Sequence, residues 1–304
     1  MRTDMSPDSF DLLMLLRGTT LDHQARVQIG QRLHEMGDSR PGVGLLPDGR
    51  PEINWCPVNV PVDPVSFQNE HARVFGGFGL QPYYIARYLV TYRQFKAFLD
   101  APDGFDNDAW WQHLTPRYQK QGVLEQRNPA DNCPRDTVSW YQAVAFARWL
   151  NALYTGEELL SPGGGPQRLV IGQNAEIRLP FEWEWQWAAQ GNFNHAYPWG
   201  AWADGVANTR EARLGQTTAV GMYPHGASWC GALDMSGNVW EWCLNDYRNP
   251  SYGQYEGHNS RVLRGGSFAD VAEWAVCGSR FNDLPNRRLD YFGFRVVCAQ
   301  PMPG

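Results

Sequence analysis

The chain lacks any apolar run long enough to cross a bilayer, which takes roughly 20 consecutive residues. Its start also lacks a basic stretch leading into an apolar segment and a small-residue cleavage site. These absences set the expectation of a cytoplasmic location with no membrane partner. Basic excess is missing too: 26 Lys and Arg stand against 32 Asp and Glu, a net charge of −6. That balance argues against nucleic acid as a general partner. The six cysteines, Cys56, Cys133, Cys230, Cys243, Cys277 and Cys298, include no CxxC pair, so zinc is not expected. Cys243 and Cys298 lie in apolar runs and read as buried thiols. His23, His34, His71, His113, His195, His225 and His258 are scattered, without spacing that would converge three metal ligands. The loop Ser161 to Pro166 has neither the Lys nor the spacing of a phosphate cradle.

Aromatic residues are plentiful. With 14 Trp, 13 Tyr and 14 Phe, ring packing has to carry much of the core. The 31 Gly and 21 Pro fit a loop-rich α+β domain better than a helix bundle. Residues 1–50 read as a separate helical leader and linker. Phe10, Leu13, Met14 and Leu16 mark one short helix. Leu21, Ala25, Ile29, Leu33 and Met36 mark a second, with Thr20 or Asp22 as cap and Gly37 as stop. Residues 51–304 form the main domain. It has amphipathic helices at 92–100, 139–154 and 182–190, a long polar loop at 101–137, and mostly loop from 191 to 230.

The most informative stretch runs from Gly231 to Val297. It contains Gly237-Asn238-Val239-Trp240-Glu241-Trp242, then Arg261-Val262-Leu263-Arg264-Gly265-Gly266-Ser267-Phe268, then Gly293-Phe294-Arg295-Val296-Val297. Gly-Asn is a turn pair. Val-Leu and Phe-Arg-Val-Val read as short buried strands. The double Gly permits positive φ or a close backbone approach. In this order the pieces resemble the formylglycine-generating-enzyme-like (sulfatase-modifying factor) domain, a variant of the C-type lectin fold. Pro82 to Thr91, Val138-Ser139-Trp140, Ile177 to Trp185, Tyr197-Pro198-Trp199-Gly200 and Ala207-Asn208 match it as well, so the resemblance covers residues 51 to 299. It implies an α+β, loop-rich C-type lectin / formylglycine-generating-enzyme-like fold behind the short helical leader.

The resemblance also implies chemistry. Catalytic members bind copper through two cysteines after the Gly-Gly-Ser-aromatic strand, and soft thiolates suit Cu(I). Here those positions hold Asp270 and Ala275, and Cys277 reads as a core residue, so copper is not expected. A branch similar to the sulfoxide synthases needs an iron site with an HxxxHxE pattern, which this chain lacks, so iron is not expected either. The Gly-Asn-x-Trp-Glu turn in the family supplies oxygens to Ca²⁺. Asn238 and Glu241, with the carbonyls of Ser236 and Val239, are the matching metal ligands; the alternative is that they hydrogen-bond neighbouring backbone.

Between the matched flanks lie residues 269–292, where side chains of every chemical type alternate. This layout resembles the variable proteins of diversity-generating retroelements, which display a mutagenised region on a C-type lectin scaffold. The expected function is non-catalytic binding of a protein or other macromolecule. The expected contact residues are Asp270, Val271, Glu273, Trp274, Phe281, Asn282, Asp283, Leu284, Asn286, Leu289, Asp290 and Tyr291, with Phe292 as a further anchor. The carboxylates among them favour a basic epitope. The alternative is an oxygen-dependent oxidase or sulfoxide synthase of the same family.

Overall fold

The computed structural model describes residues 7–18, 21–60, 65–68, 74–78, 80–115, 121–250, 253 and 255–301, with backbone only at 7–8, 65–68 and 74–78. Two helices come first, α1 (Pro7–Leu16) and α2 (His23–Glu35). Asp22 caps α2, its carboxylate accepting from the Ala25 amide at 2.7 Å. Leu16, Ile29 and Leu33 pack on Ala219, Met222 and Tyr223 of the main domain. Arg26 is buried with them and donates to the Met222 carbonyl at 2.8 Å. The helices gain from this face what neither could gain alone.

One sheet has the order β1-β4-β12-β7, all antiparallel, from β1 (Trp55–Val58), β4 (Tyr83–Ala86), β7 (Glu176–Arg178) and β12 (Val297–Ala299). The second has the order β10-β9-β8-β11, from β8 (Trp240–Asp246), β9 (Arg261–Arg264), β10 (Phe281–Asp283) and β11 (Phe292–Gly293). Two small hairpins complete the strands, β2 (Val65–Gln68) with β3 (Val74–Phe78), and β5 (Glu158–Leu159) with β6 (Leu169–Val170). Helices α3 (Tyr92–Asp100) and α4 (Trp140–Leu153) each start at a reciprocal capping box, Thr91 with Gln94 and Ser139 with Gln142. Helix α5 (Glu182–Gln190) follows β7 directly.

Aromatic rings fill the space between these layers. Phe95, Phe98, Phe146, Trp149 and Phe294 form one interlocked group with centroid separations of 5.3–6.3 Å. The fold is the α+β C-type lectin type. Among the described residues no helix is long and apolar enough to cross a membrane.

One element departs from the sequence reading. Gly293 to Val297 is not a single strand. β11 pairs in parallel with β8, and β12 pairs with β4 and β7 in the other sheet. The chain changes sheets at Phe294-Arg295-Val296, where Val90 and Ala86 donate to the Phe294 and Val296 carbonyls. Arg295 sits fully buried at this crossing and turns towards β8. An alternation of apolar residues cannot show such a change of partner, because both halves are buried.

Candidate binding surface

The surface rests on a buried polar frame. Glu241 of β8 and Arg295 at the sheet crossing are each 0% exposed and paired two-pronged, at 2.5 and 2.8 Å. Arg295 also donates to the Ala86 and Leu233 carbonyls at 3.1 and 2.9 Å. Arg264 of β9 donates to the Ser279 carbonyl at 2.5 Å and to Gln186 of α5, so it ties the end of the loop after β9 to the helix. Arg280 pairs with the buried Glu182 at 2.5 and 2.8 Å and lies 4.5 Å over the Tyr247 ring. These planar, two-pronged contacts are the geometry arginine makes and lysine does not.

Two turns set the backbone above the frame. Gly237 and Asn238 have φ of 81° and 67°, Gly265 and Gly266 of 95° and 72°. A Cβ on Gly266 would lie 2.9 Å from the Ala275 Cα, so both conformation and space require glycine there.

The turn expected to hold calcium is filled by protein contacts. Both Glu241 oxygens go to Arg295. The Asn238 side-chain oxygen accepts from the Asn208 side chain at 3.2 Å and the Thr218 amide at 3.0 Å, and its amide donates to the Thr218 carbonyl at 3.2 Å. The Ser236 hydroxyl donates to Ala275 at 2.6 Å, and Val239 is buried with its amide on the Gly237 carbonyl. These contacts support the hydrogen-bonded alternative over calcium at Asn238, Glu241, Ser236 and Val239, with a guanidinium as the charge that neutralises Glu241.

The positions where the resemblance places paired thiols also do not fit copper. Asp270 offers hard oxygen, and Ala275 is 0% exposed and offers no donor. Cys277 is 0% exposed, and burial pushes its thiol up to about 12, so it holds its proton. Among the described residues no group of three His, Cys, Asp or Glu converges as metal ligands.

The expected contact residues all reach the surface. Trp274 and Leu284 are each 49% exposed, Glu273 is exposed, and Val271, Phe281, Asn282, Asp283, Asn286, Leu289, Asp290, Tyr291 and Asp270 are half-buried. Phe292 is the exception. It is 0% exposed, packed 5.2 Å from Trp242, and belongs to the core because β11 turns it inward beside β8.

These residues form two patches. The first centres on Trp240 of the Gly-Asn-x-Trp-Glu turn. Its indole nitrogen donates to Asp270 at 2.8 Å, its ring lies 5.3 Å from Phe281, and its amide donates to the Tyr291 carbonyl at 2.8 Å. Trp240 thus brings Asp270, Phe281 and Tyr291 together from three separate segments. Burial raises the Tyr291 phenol above its ordinary pKa, and the charges of Asp270, Asp290 and Asp283 add to that rise. Three carboxylates therefore act on one half-buried phenol, opposed by Arg287, which pairs with Asp283 at 3.6 Å. The second patch holds Glu273, whose charge acts with Glu211 on the Tyr197 phenol, itself raised first by burial. Asp270 has a double role, since the Ser267 hydroxyl also donates to it and it helps hold the turn.

Residues 58–300 match the sulfatase-modifying factor enzyme 1-like domain. The chain belongs to that family. A hercynine oxygenase of Mycolicibacterium thermoresistibile is 28% identical over 97% of this chain and 70% of its own length. A formylglycine-generating enzyme of Thermomonospora curvata is 28% identical over 79% of this chain and 89% of its own. Against the hercynine oxygenases of two further mycobacteria the chain spans 52% and 63% of their length. Among solved structures, Treponema denticola variable protein 1 shares the fold with a TM-score of 0.57 at 23% identity, over 82% of this chain and 96% of that one.

Proposed function

We propose that this family member is a non-catalytic binding protein that presents residues 270–291 to a basic macromolecular partner. The observation that carries the reading is the division of labour around Trp240. Glu241, Arg264 and Arg295 are buried below, while the side chains above are half-buried or exposed. The charges of Asp270, Asp290 and Asp283 act on Tyr291 against that of Arg287, which lies 3.6 Å from Asp283, giving an aromatic face with an acidic excess suited to lysine or arginine side chains. On this reading the stretch is the diversified region of a retroelement-encoded variable protein, and a variable protein of the same fold supports it. The test is selection from a displayed random-peptide library. Enriched peptides should be rich in Lys and Arg and should lose binding to Asp283→Ser/Asp290→Ser. Enrichment of acidic or neutral peptides contradicts the proposal.

The relatives' names favour a second reading, oxygen-dependent oxidation. Oxygen uptake by protein supplied with Cu(I) or Fe(II) and a thiol substrate separates the two. Uptake above that of the free metal supports the oxidase and removes the first reading.

A further inference from the structure

Helix α1 is apolar on two sides. On its inner side Leu16 is buried, and Leu12 and Leu13 pack beside it against the cluster of Ile29, Leu33, Ala219, Met222 and Tyr223. On its outer side Phe10, Met14 and Leu15 are 56%, 47% and 55% exposed. Phe10 and Met14 are four residues apart, so they lie one above the other, with Leu15 next to them. A surface helix ordinarily keeps its outer side polar, and a helix apolar all round belongs in an interior. Single exposed apolar residues need no explanation, but a contiguous row of them marks a contact surface. This row takes no residue from the surface around Trp240.

Two charges flank the row and indicate what fits it. Asp11 and Arg17 are both exposed, and among the described residues neither side chain has an ion-pair or hydrogen-bond partner. The Arg17 and Gly18 amides donate to the Met14 and Leu15 carbonyls at 3.2 and 2.9 Å, so the helical path runs on past Leu16 and carries Arg17. Asp11 stands three residues before Met14 and Arg17 three after it. At 1.5 Å per residue the two charges have equal and opposite offsets of about 4.5 Å along the helix from Met14.

A second α1 laid steeply across the first, with a two-fold axis at Met14, therefore sets Asp11 of each copy against Arg17 of the other. Two charges that lack partners within the chain then gain them twice over, and the apolar row is covered in the same step. A patch complementary to itself about a two-fold axis is what an isologous dimer requires. A strongly acidic or strongly basic partner would meet a like charge at one end of the row, whereas a copy of this chain meets none.

We propose that the outer face of α1 is a self-association surface, through which two copies of this chain form a symmetric dimer centred on Met14. One helix face is small beside the roughly 1,200–2,000 Å² of stable interfaces, so the dimer is weak and concentration-dependent. The experiment is sedimentation velocity on the full chain from about 1 to about 300 μM, the range in which weak interfaces associate. The wild-type average mass should rise towards that of a dimer. Asp11→Arg and Arg17→Asp each set like charges opposite one another at both ends, so each alone should weaken association at least about tenfold. Both positions are exposed, so both variants fold. An equimolar mixture of the two should associate again, because every arginine then faces an aspartate. Met14→Lys, which brings two like charges to the axis, should be monomeric. Wild type that stays monomeric at about 300 μM overturns the proposal, as does a monomer that floats with phosphatidylcholine vesicles, which would assign the row to a lipid surface. Association that persists in either single charge variant, or a mixture that stays monomeric, overturns it as well.

Discussion

Replacing Glu241 with Gln tests the buried frame directly. Glu241 and Arg295 are each 0% exposed, so solvent does not screen their pairing. The substitution keeps the shape and leaves the guanidinium buried without its counter-charge. Breaking one side of such a pair costs about 3–5 kcal/mol. In a domain of this size each kcal/mol shifts Tm by roughly 2–4 °C, so the fall should be on the order of 10 °C. The double variant Glu241→Met/Arg295→Met removes both charges, although it also strips the donors to the Ala86 and Leu233 carbonyls. It should nevertheless be more stable than the single variant, since no unpaired charge remains. Urea midpoints at pH 7 measure the difference, and EDTA is added in parallel. Because both Glu241 oxygens go to Arg295, EDTA should leave the wild-type Tm unchanged. A loss below about 1 kcal/mol in Glu241→Gln would refute the reasoning, being the range of exposed pairs. A Tm lowered by EDTA and restored by Ca²⁺ would refute it too.

Other outcomes follow from single positions. Gly266→Val should prevent normal folding, seen as loss of a cooperative thermal transition, because its Cβ meets Ala275 and φ is 72°. Phe294→Ala, at 0% exposure, should lose about 3–5 kcal/mol by urea titration. Burial pushes the Asp136 carboxyl up to about 7, with the Asp290 charge adding and the Thr137 hydroxyl and Arg135 opposing. The folded state therefore binds the proton more tightly than the unfolded chain, and this contribution to stability is lost as pH rises from about 4 to about 7. Asp136→Asn should remove that slope, about 4 kcal/mol across the window, as the difference between wild-type and variant urea titrations.

Much of the fold was legible because its signals are local. Ser139 and Thr91 announce their helices through Gln142 and Gln94 three residues on, and Gly237-Asn238 announces its turn. The surface position of Asp270, Glu273, Asp283, Asn286 and Asp290 was legible too, since polar residues between two buried strands tend to face outward. Long-range partnership was not. Nothing near Glu241 in sequence shows that its partner is Arg295, and a carboxylate in a turn reads equally as a metal ligand or as half of an ion pair. The role of Trp240 was hidden for the same reason, because Asp270, Phe281 and Tyr291 meet it only in space. Asp270, read as display alone, proves to be also a hydrogen-bond acceptor of the frame.

The separation of frame from display is tested most directly by one variant, Glu273→Ser/Asp283→Ser/Asn286→Ser/Asp290→Ser. It leaves Asp270 in place because Trp240 and Ser267 donate to it. Its urea midpoint and its binding of a selected Lys- and Arg-rich peptide are measured side by side. Surface changes shift stability by within about half a kcal/mol each, so the midpoint should stay close to that of the wild type while peptide binding is lost. A collapsed unfolding transition, or peptide binding that persists at full strength, contradicts the account.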